Sequence, residues 1–230
     1  MKTVSSALAF AAGAALALTA TPALAQEEDR AGTIQVKVLG TAVLPDGEID
    51  EVELDTLGVP AGSQSAVNDN FVPTAAVEYF LTNNLSVETI AGVTQHDVDG
   101  VGALDGVELV SDVKLIPATV TLKAHFDLTD RIKPYVGAGP AYFIFFDDDA
   151  GAGISTLGVT DADLTNEFGI ALQAGADIAL SDDGNFGLSL DAKRYFIGTD
   201  ARFFAGGTEV LRTEHTLDPW VLSGGVFLRF

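Results

Sequence analysis

Residues 116–126 read Ile-Pro-Ala-Thr-Val-Thr-Leu-Lys-Ala-His-Phe. Ile116, Ala118, Val120, Leu122, Ala124 and Phe126 fall on one face, and Thr119, Thr121, Lys123 and His125 on the other. Strict alternation over this length is the signature of a β-strand with one apolar and one polar face. The same period recurs on both sides of it. Ile34, Val36 and Val38 oppose Thr33, Gln35 and Lys37. Phe71, Ala75, Val77, Tyr79 and Leu81 oppose Thr74, Glu78 and Thr82, and Leu85 to Val93 oppose Ser86, Glu88, Thr94 and His96. Downstream, Phe168 to Ile178 oppose Glu167, Gln173 and Asp177, and Phe186 to Phe196 oppose Ser189, Asp191 and Lys193. A last strand carries Trp220, Leu222, Val226, Leu228 and Phe230. Ile132 to Phe146 is apolar on both faces, so its phase stays open. Eight strands result, and no long stretch keeps a helical stripe.

Short and long connections alternate between them. Asn83-Asn84, the segment around Leu128 to Asp130, and Ser181-Asp182-Asp183-Gly184 are tight. The others span roughly 45–70, 97–113, 147–165 and 199–215. An even number of strands with short turns at one end and long loops at the other is the pattern of a transmembrane β-barrel. In that setting the apolar face looks to lipid and the polar face lines the lumen. A soluble eight-stranded barrel shows the same period, and the aromatic residues separate the two. Tyr79, Phe126, Phe186 and Phe230 fall at turn-side ends of the apolar face, and Phe71, Phe168, Phe196 and Trp220 at loop-side ends. Two bands are the girdles of a membrane-spanning wall, whereas a soluble core concentrates its rings at mid-strand.

The composition agrees. Of 230 residues, 33 are Asp or Glu and 12 Lys or Arg, giving a net charge of −21. That balance, without a basic cluster, excludes a nucleic-acid binder. The absence of cysteine excludes disulfides and thiolate sites. Lys2, the apolar run Ala7 to Ala20 and Ala23-Leu24-Ala25 form a signal peptide over residues 1–25, leaving a single exported domain over residues 26–230.

Candidate site residues follow from phase. The lumen face holds Glu78, Glu88, Lys123, His125, Glu167, Asp177, Asp191 and Lys193. Buried charges need partners, so Lys123 and Lys193 are expected to pair with these acids. Tyr79, Phe126, Phe186, Trp220, Phe230 and Arg194 are expected as interface anchors on the lipid face, touching outer-membrane lipid and lipopolysaccharide. The long connections hold 20 of the 33 acids. Within them Asp147, Asp148 and Asp149 are the candidate ligands for a divalent cation, although no EF-hand spacing follows. The other reading is a solvated, repelling rim. His96, His125 and His215 lie on different strands or loops, and none stands beside an obvious serine and acid at one depth, so no catalytic triad is expected. Gly137-x-Gly139 lacks the third glycine and the following helix of a dinucleotide site. No cofactor is expected.

Lys133-Pro134-Tyr135-Val136-Gly137-Ala138-Gly139, then Tyr142 and Phe145-Phe146-Asp147, resemble a segment of the OmpW family of Gram-negative outer-membrane proteins. So do Leu217-Asp218-Pro219-Trp220-Val221 through Arg229-Phe230, Asn84 to Glu88 through His96, and Leu115 to Thr119. Leu190 to Lys193 with Phe196 to Ala201 also resembles it, and the likeness runs collinearly over residues 31–230. It implies an all-β, eight-stranded antiparallel barrel with periplasmic termini and a narrow lumen that passes small hydrophobic compounds. It also implies that Phe230 is read by the outer-membrane assembly machinery. The resulting expectation is a non-enzymatic channel for small apolar molecules, with lateral release into the bilayer. The alternative is a plugged structural or receptor barrel acting in envelope stability or in cation and surface interactions. A lumen bridged throughout by salt pairs would favour the second, and an apolar path from the loops to mid-barrel the first.

Overall fold

The computed structural model describes residues 30–230, so the expected signal peptide lies outside the described residues. The strands are β1 (Ile34–Leu44), β2 (Glu48–Asp55), β3 (Ser63–Val67), β4 (Asn70–Phe80), β5 (Leu85–Ala91), β6 (Thr94–Gly102), β7 (Glu108–His125) and β8 (Ile132–Phe146). Then come β9 (Asp149–Ala150), the single turn α1 (Ala152–Ser155), β10 (Asp161–Leu164), β11 (Glu167–Ala179), β12 (Phe186–Phe196), β13 (Gly198–Ala205), β14 (Thr208–Thr216) and β15 (Trp220–Arg229).

Eight of these make a closed antiparallel wall in the order β1, β4, β5, β7, β8, β11, β12, β15, and β15 returns to β1. The first and last strands close it with Gln35 opposite Arg229 and Leu44 opposite Trp220. Closure leaves no free edge in the wall. The alternation of sequence becomes an alternation of environment. In β7, Thr119, Thr121, Lys123 and His125 are buried while Val120 and Leu122 are exposed, as is Phe126 just beyond its end. All eight girdle aromatics stand exposed on the outer surface in their two bands. The ambiguous strand, β8, resolves with Tyr135, Ala141 and Phe143 inward and Val136 outward.

Two differences from the sequence reading concern the loop end. The third expected strand breaks at Gly92-Val93 into β5 and β6. The long connections are not merely solvated acid. β7 has 18 residues and β8 has 15, more than the ~9–11 needed to cross a bilayer, so both project beyond the wall. β10, β13, β14 and β2 form a four-stranded sheet beside them. Between these projections a cluster of Val98, Leu109, Val110, Val113, Ile154, Phe203 and Leu211 is buried. Short strands with acidic outer faces had masked this second core.

Candidate functional site: a sealed floor beneath an apolar chamber

The turn-side half of the lumen is filled by charge. Lys37 from β1 places Nζ 2.8 Å from both Glu78 Oε2 and Glu88 Oε2, and 3.7 Å from Asp177 Oδ1. Lys123 from β7 reaches the same two glutamate oxygens at 2.8 Å each. Lys193 from β12 lies 2.7 Å from Asp191 Oδ1 and 3.2 Å from Glu88 Oε1. Gln173 donates to Glu88 Oε1 and Asp191 Oδ2, and Tyr135 donates to Asp191 Oδ2 at 2.8 Å. The Lys123 ammonium also stands 3.7 Å from the Tyr135 ring centroid. Arg229 donates through Nε and Nη2 to Gln35 Oε1, and Gln35 donates in turn to Asp177 Oδ2 at 2.8 Å. Four carboxylates and four cations thus share one hydrogen-bonded network, Arg229 joining it through Gln35, and all eight side chains are buried. A buried charge is tolerable only when opposite charge and hydrogen bonds replace the lost water. The floor meets that condition. It leaves little room for a solute.

Seven of the eight expected lumen residues, Glu78, Glu88, Lys123, His125, Asp177, Asp191 and Lys193, fall in this floor. Glu167 does not. It keeps the inward phase of β11 but sits at its loop-side end, exposed, within 3.4 Å of the Thr165 hydroxyl. Lys37, Gln35, Tyr135, Gln173 and Arg229 join the floor without having been picked out. Gln35, Lys37 and Gln173 lay on the polar faces of their strands, which was the available signal.

His125 corrects another expectation, because Ser86 and Glu78 do stand beside it. Ser86 Oγ and Glu78 Oε1 both lie 2.8 Å from His125 Nε2, and Ser86 donates to Glu78 Oε1 at 2.5 Å. The serine proton is thus committed to the glutamate, and the imidazole meets serine and acid through the same nitrogen. Its Nδ1 has no hydrogen-bond partner among the described residues. A triad needs the acid on Nδ1 and a free Nε2 facing the hydroxyl, so this arrangement is a buried hydrogen-bond cluster.

Above the floor the lining changes character. Thr41 bonds Thr74 and Ser223 at 2.6 and 2.9 Å, and the Tyr195 hydroxyl meets Thr119 at 3.2 Å. Over this neutral layer lie two apolar cavities. The upper, about 70 Å³, is walled by residues including Val98, Leu109, Val113, Phe145, Phe203 and Leu211. The lower, about 30 Å³, is bounded by Thr41, Val72, Thr74, Ile90, Gly92, Val93 and Tyr195. Ile90, Gly92 and Val93 also line an open groove of about 540 Å³ on the outside of the wall. At that level the β4–β5 ladder ends, with Ala75 opposite Ala91 as its last pair. Pro73, just above, has no N–H to offer. The seam is closed by contact instead. A Cβ on Gly92 would stand 2.6 Å from Thr74 Cγ2.

His96 and His215 border the upper cavity, each bonded to a threonine hydroxyl two residues earlier, at 2.9 and 2.6 Å. Burial pushes both imidazoles below the ordinary histidine value, more than the backbone bonds and nearby aspartates raise them. On the outer rim Glu209 binds Arg212 at 2.6 Å and Arg202 at 3.0 Å, and these bonds bring its carboxyl down to about 2. The three aspartate side chains do not converge on one point. Asp147 pairs with Lys114 at 2.7 Å, Asp148 accepts the Leu164 N–H at 2.6 Å, and Asp149 lies exposed in β9. No group of three or more acidic or histidine side chains able to hold a metal ion occurs among the described residues. Arg194 lies outward and half-buried at the loop end. It donates to the Asp218 carbonyl and stands between the Phe196 and Trp220 rings, 6.0 and 5.6 Å from their centroids.

A closed eight-stranded wall with an apolar exterior, two aromatic bands and a charged interior defines an outer-membrane β-barrel. The chain belongs to the OmpW family, whose sequence model matches residues 30–230. It is 35% identical over 227 residues to the uncharacterized outer-membrane protein y4mB of Sinorhizobium fredii, covering 96% of this chain and 92% of that one. Its fold is similar to the crystal structure of OprG from Pseudomonas aeruginosa, with a TM-score of 0.78 at 26% identity over 89% of this chain and 98% of the other. It is also similar to outer membrane protein AlkL in lipid bilayers, with a TM-score of 0.69 at 25% identity, covering 92% and 95%. The protein is therefore an outer-membrane barrel with its short turns and termini on the periplasmic side.

Proposed function

We propose that this barrel conducts small apolar molecules from the cell exterior and releases them sideways into the bilayer. One observation carries the reading: an apolar lumen ends above a floor of paired buried charges, at the level where the β4–β5 ladder stops. A solute entering between the loop sheets meets carbon on all sides down to Thr41 and Thr74. Crossing the floor would mean prising apart paired buried charges, at several kcal/mol per ion. Passing between Thr74 and Gly92 breaks no ladder hydrogen bond and leads to another apolar surface. The chemistry is partition alone, driven by transfer of apolar surface out of water. His125 has no catalytic part in it, and no cofactor is required.

The ionic floor taken alone favours the second reading, a plugged barrel whose acidic rim holds cations or other surfaces. Vesicles with a lipopolysaccharide outer leaflet and the refolded barrel separate the two. Conduction predicts that the barrel accelerates entry of n-octane and leaves sorbitol, a polar solute of similar size, at the barrel-free rate. Equal n-octane entry with and without the barrel would contradict conduction and leave the plugged barrel standing.

A further inference from the structure

Resting on the conduit reading, we propose that the Phe143 side chain is the moving septum that sets the largest cross-section the lumen will pass. Val43, Leu115, Phe143 and Pro219 each line both the upper and the lower cavity. They come from β1, β7, β8 and the approach to β15, so they stand round the lumen as a ring that divides one apolar space in two. Phe143 is the largest movable side chain among them. Pro219 is locked in its ring, Val43 is short and stiff at χ1, and Leu115 is the smaller of the remaining pair. Phe143 is buried, with its ring leaning on Tyr195 at 5.2 Å and edge-on to Phe145 at 6.4 Å. Tyr195 lines only the lower cavity and Phe145 only the upper, so the three rings form a ladder down one side of the lumen. Packed interiors normally leave a ring nowhere to go. Here free volume lies on both sides of it, and a phenyl ring has no hydrogen bond to break when it shifts toward one or the other.

The test compares isomers of equal carbon content, n-octane and isooctane, which differ in width rather than in composition. Uptake is measured by headspace gas chromatography on cells carrying the wild-type barrel, Phe143→Ala, Phe143→Leu or Phe143→Trp. The heat-dependent gel shift of each variant verifies folding. Wild type should admit n-octane and discriminate against isooctane. Phe143→Ala should raise the isooctane-to-n-octane ratio about tenfold, the scale on which an apolar site resolves small changes of shape. Phe143→Leu should fall between the two, and Phe143→Trp should slow both isomers. A ratio unchanged in Phe143→Ala while n-octane still enters overturns the septum and leaves the conduit. Should Phe143→Ala not fold, unaltered uptake by the leucine and tryptophan variants overturns it equally. Absence of n-octane uptake in the wild type overturns the conduit reading and the septum with it.

Discussion

The seam at Gly92 can be locked covalently. Thr74 Cβ stands 3.4 Å from the position a Cβ would take on Gly92, against about 3.5–4.5 Å in disulfides. Replacing both residues, Thr74→Cys with Gly92→Cys, removes the methyl that crowds Gly92 and puts two thiols across the gap. The chain has no other cysteine, so pairing is unambiguous. Closing a loop of this size restricts the unfolded chain by about 3 kcal/mol in the entropic account. The oxidised barrel is therefore expected to unfold at higher temperature than the reduced one. If solute leaves by this seam, the more stable form must also be the inactive one. Cells carrying the double variant are assayed for n-octane uptake after mild oxidation and again after reduction, with the crosslink scored by gel mobility. The expected outcome is loss of most barrel-dependent uptake on oxidation and its return on reduction. A verified crosslink that leaves uptake unchanged would refute the proposed exit.

Three further outcomes follow from the same geometry. Lys123→Met strands Glu78 and Glu88 among fewer cations, and breaking a buried pair costs about 3–5 kcal/mol. The midpoint of the heat-dependent gel shift should fall well below wild type, and an unchanged midpoint would show that the floor adds little. His96 and His215 are buried neutral, with folded-state values below 6.5. As pH falls below 6.5 the opened vestibule binds protons that the folded one does not, so vestibule stability is full above that value and lost with acid. Amide exchange in β13 and β14 should rise on acidification while exchange in β11 and β12 stays constant, and His96→Gln with His215→Gln should flatten the change. Deleting Phe230, which is 74% exposed at the end of the last strand, should reduce the assembled, heat-shifting fraction in cells more than the stability of barrel refolded in detergent. Equal effects would assign it to the girdle alone.

Much of this architecture was legible because a membrane barrel writes its two faces into alternate residues. The wall strands, the phase of seven floor residues and the aromatic bands all follow from that period. Period two fixes the face of a residue and not its depth. Glu167 was therefore placed on the correct face but at the exposed rim rather than in the floor. The unreadable phase of β8 was itself informative, since its inward residues Ala141 and Phe143 are apolar where the lumen is apolar. Lys37 stands beside Gln35 on the polar face of the first strand, but the alternation gives its face and not the acids across the lumen that hold it. The vestibule core was least legible. Its strands are short, acidic outside and paired across long sequence distances, as in Leu211 with Asp55, so no local pattern announces them. Gly92 and Thr74 lie 18 residues apart, and only the break in the ladder shows that they close a seam.

The central claim is that apolar solute occupies the lumen above the floor and never within it. Nuclear Overhauser contacts from n-octane to methyl-labelled refolded barrel test this most directly. Detergent can carry n-octane to methyls of the outer wall, but not to Val113 and Leu211 in the buried vestibule cluster. Contacts to Val113, Leu211, Leu115 and Val43, with none to Thr121 in the floor, are the predicted result. Contacts confined to outer-wall methyls such as Val120 and Leu122, with the vestibule methyls silent, would contradict the account.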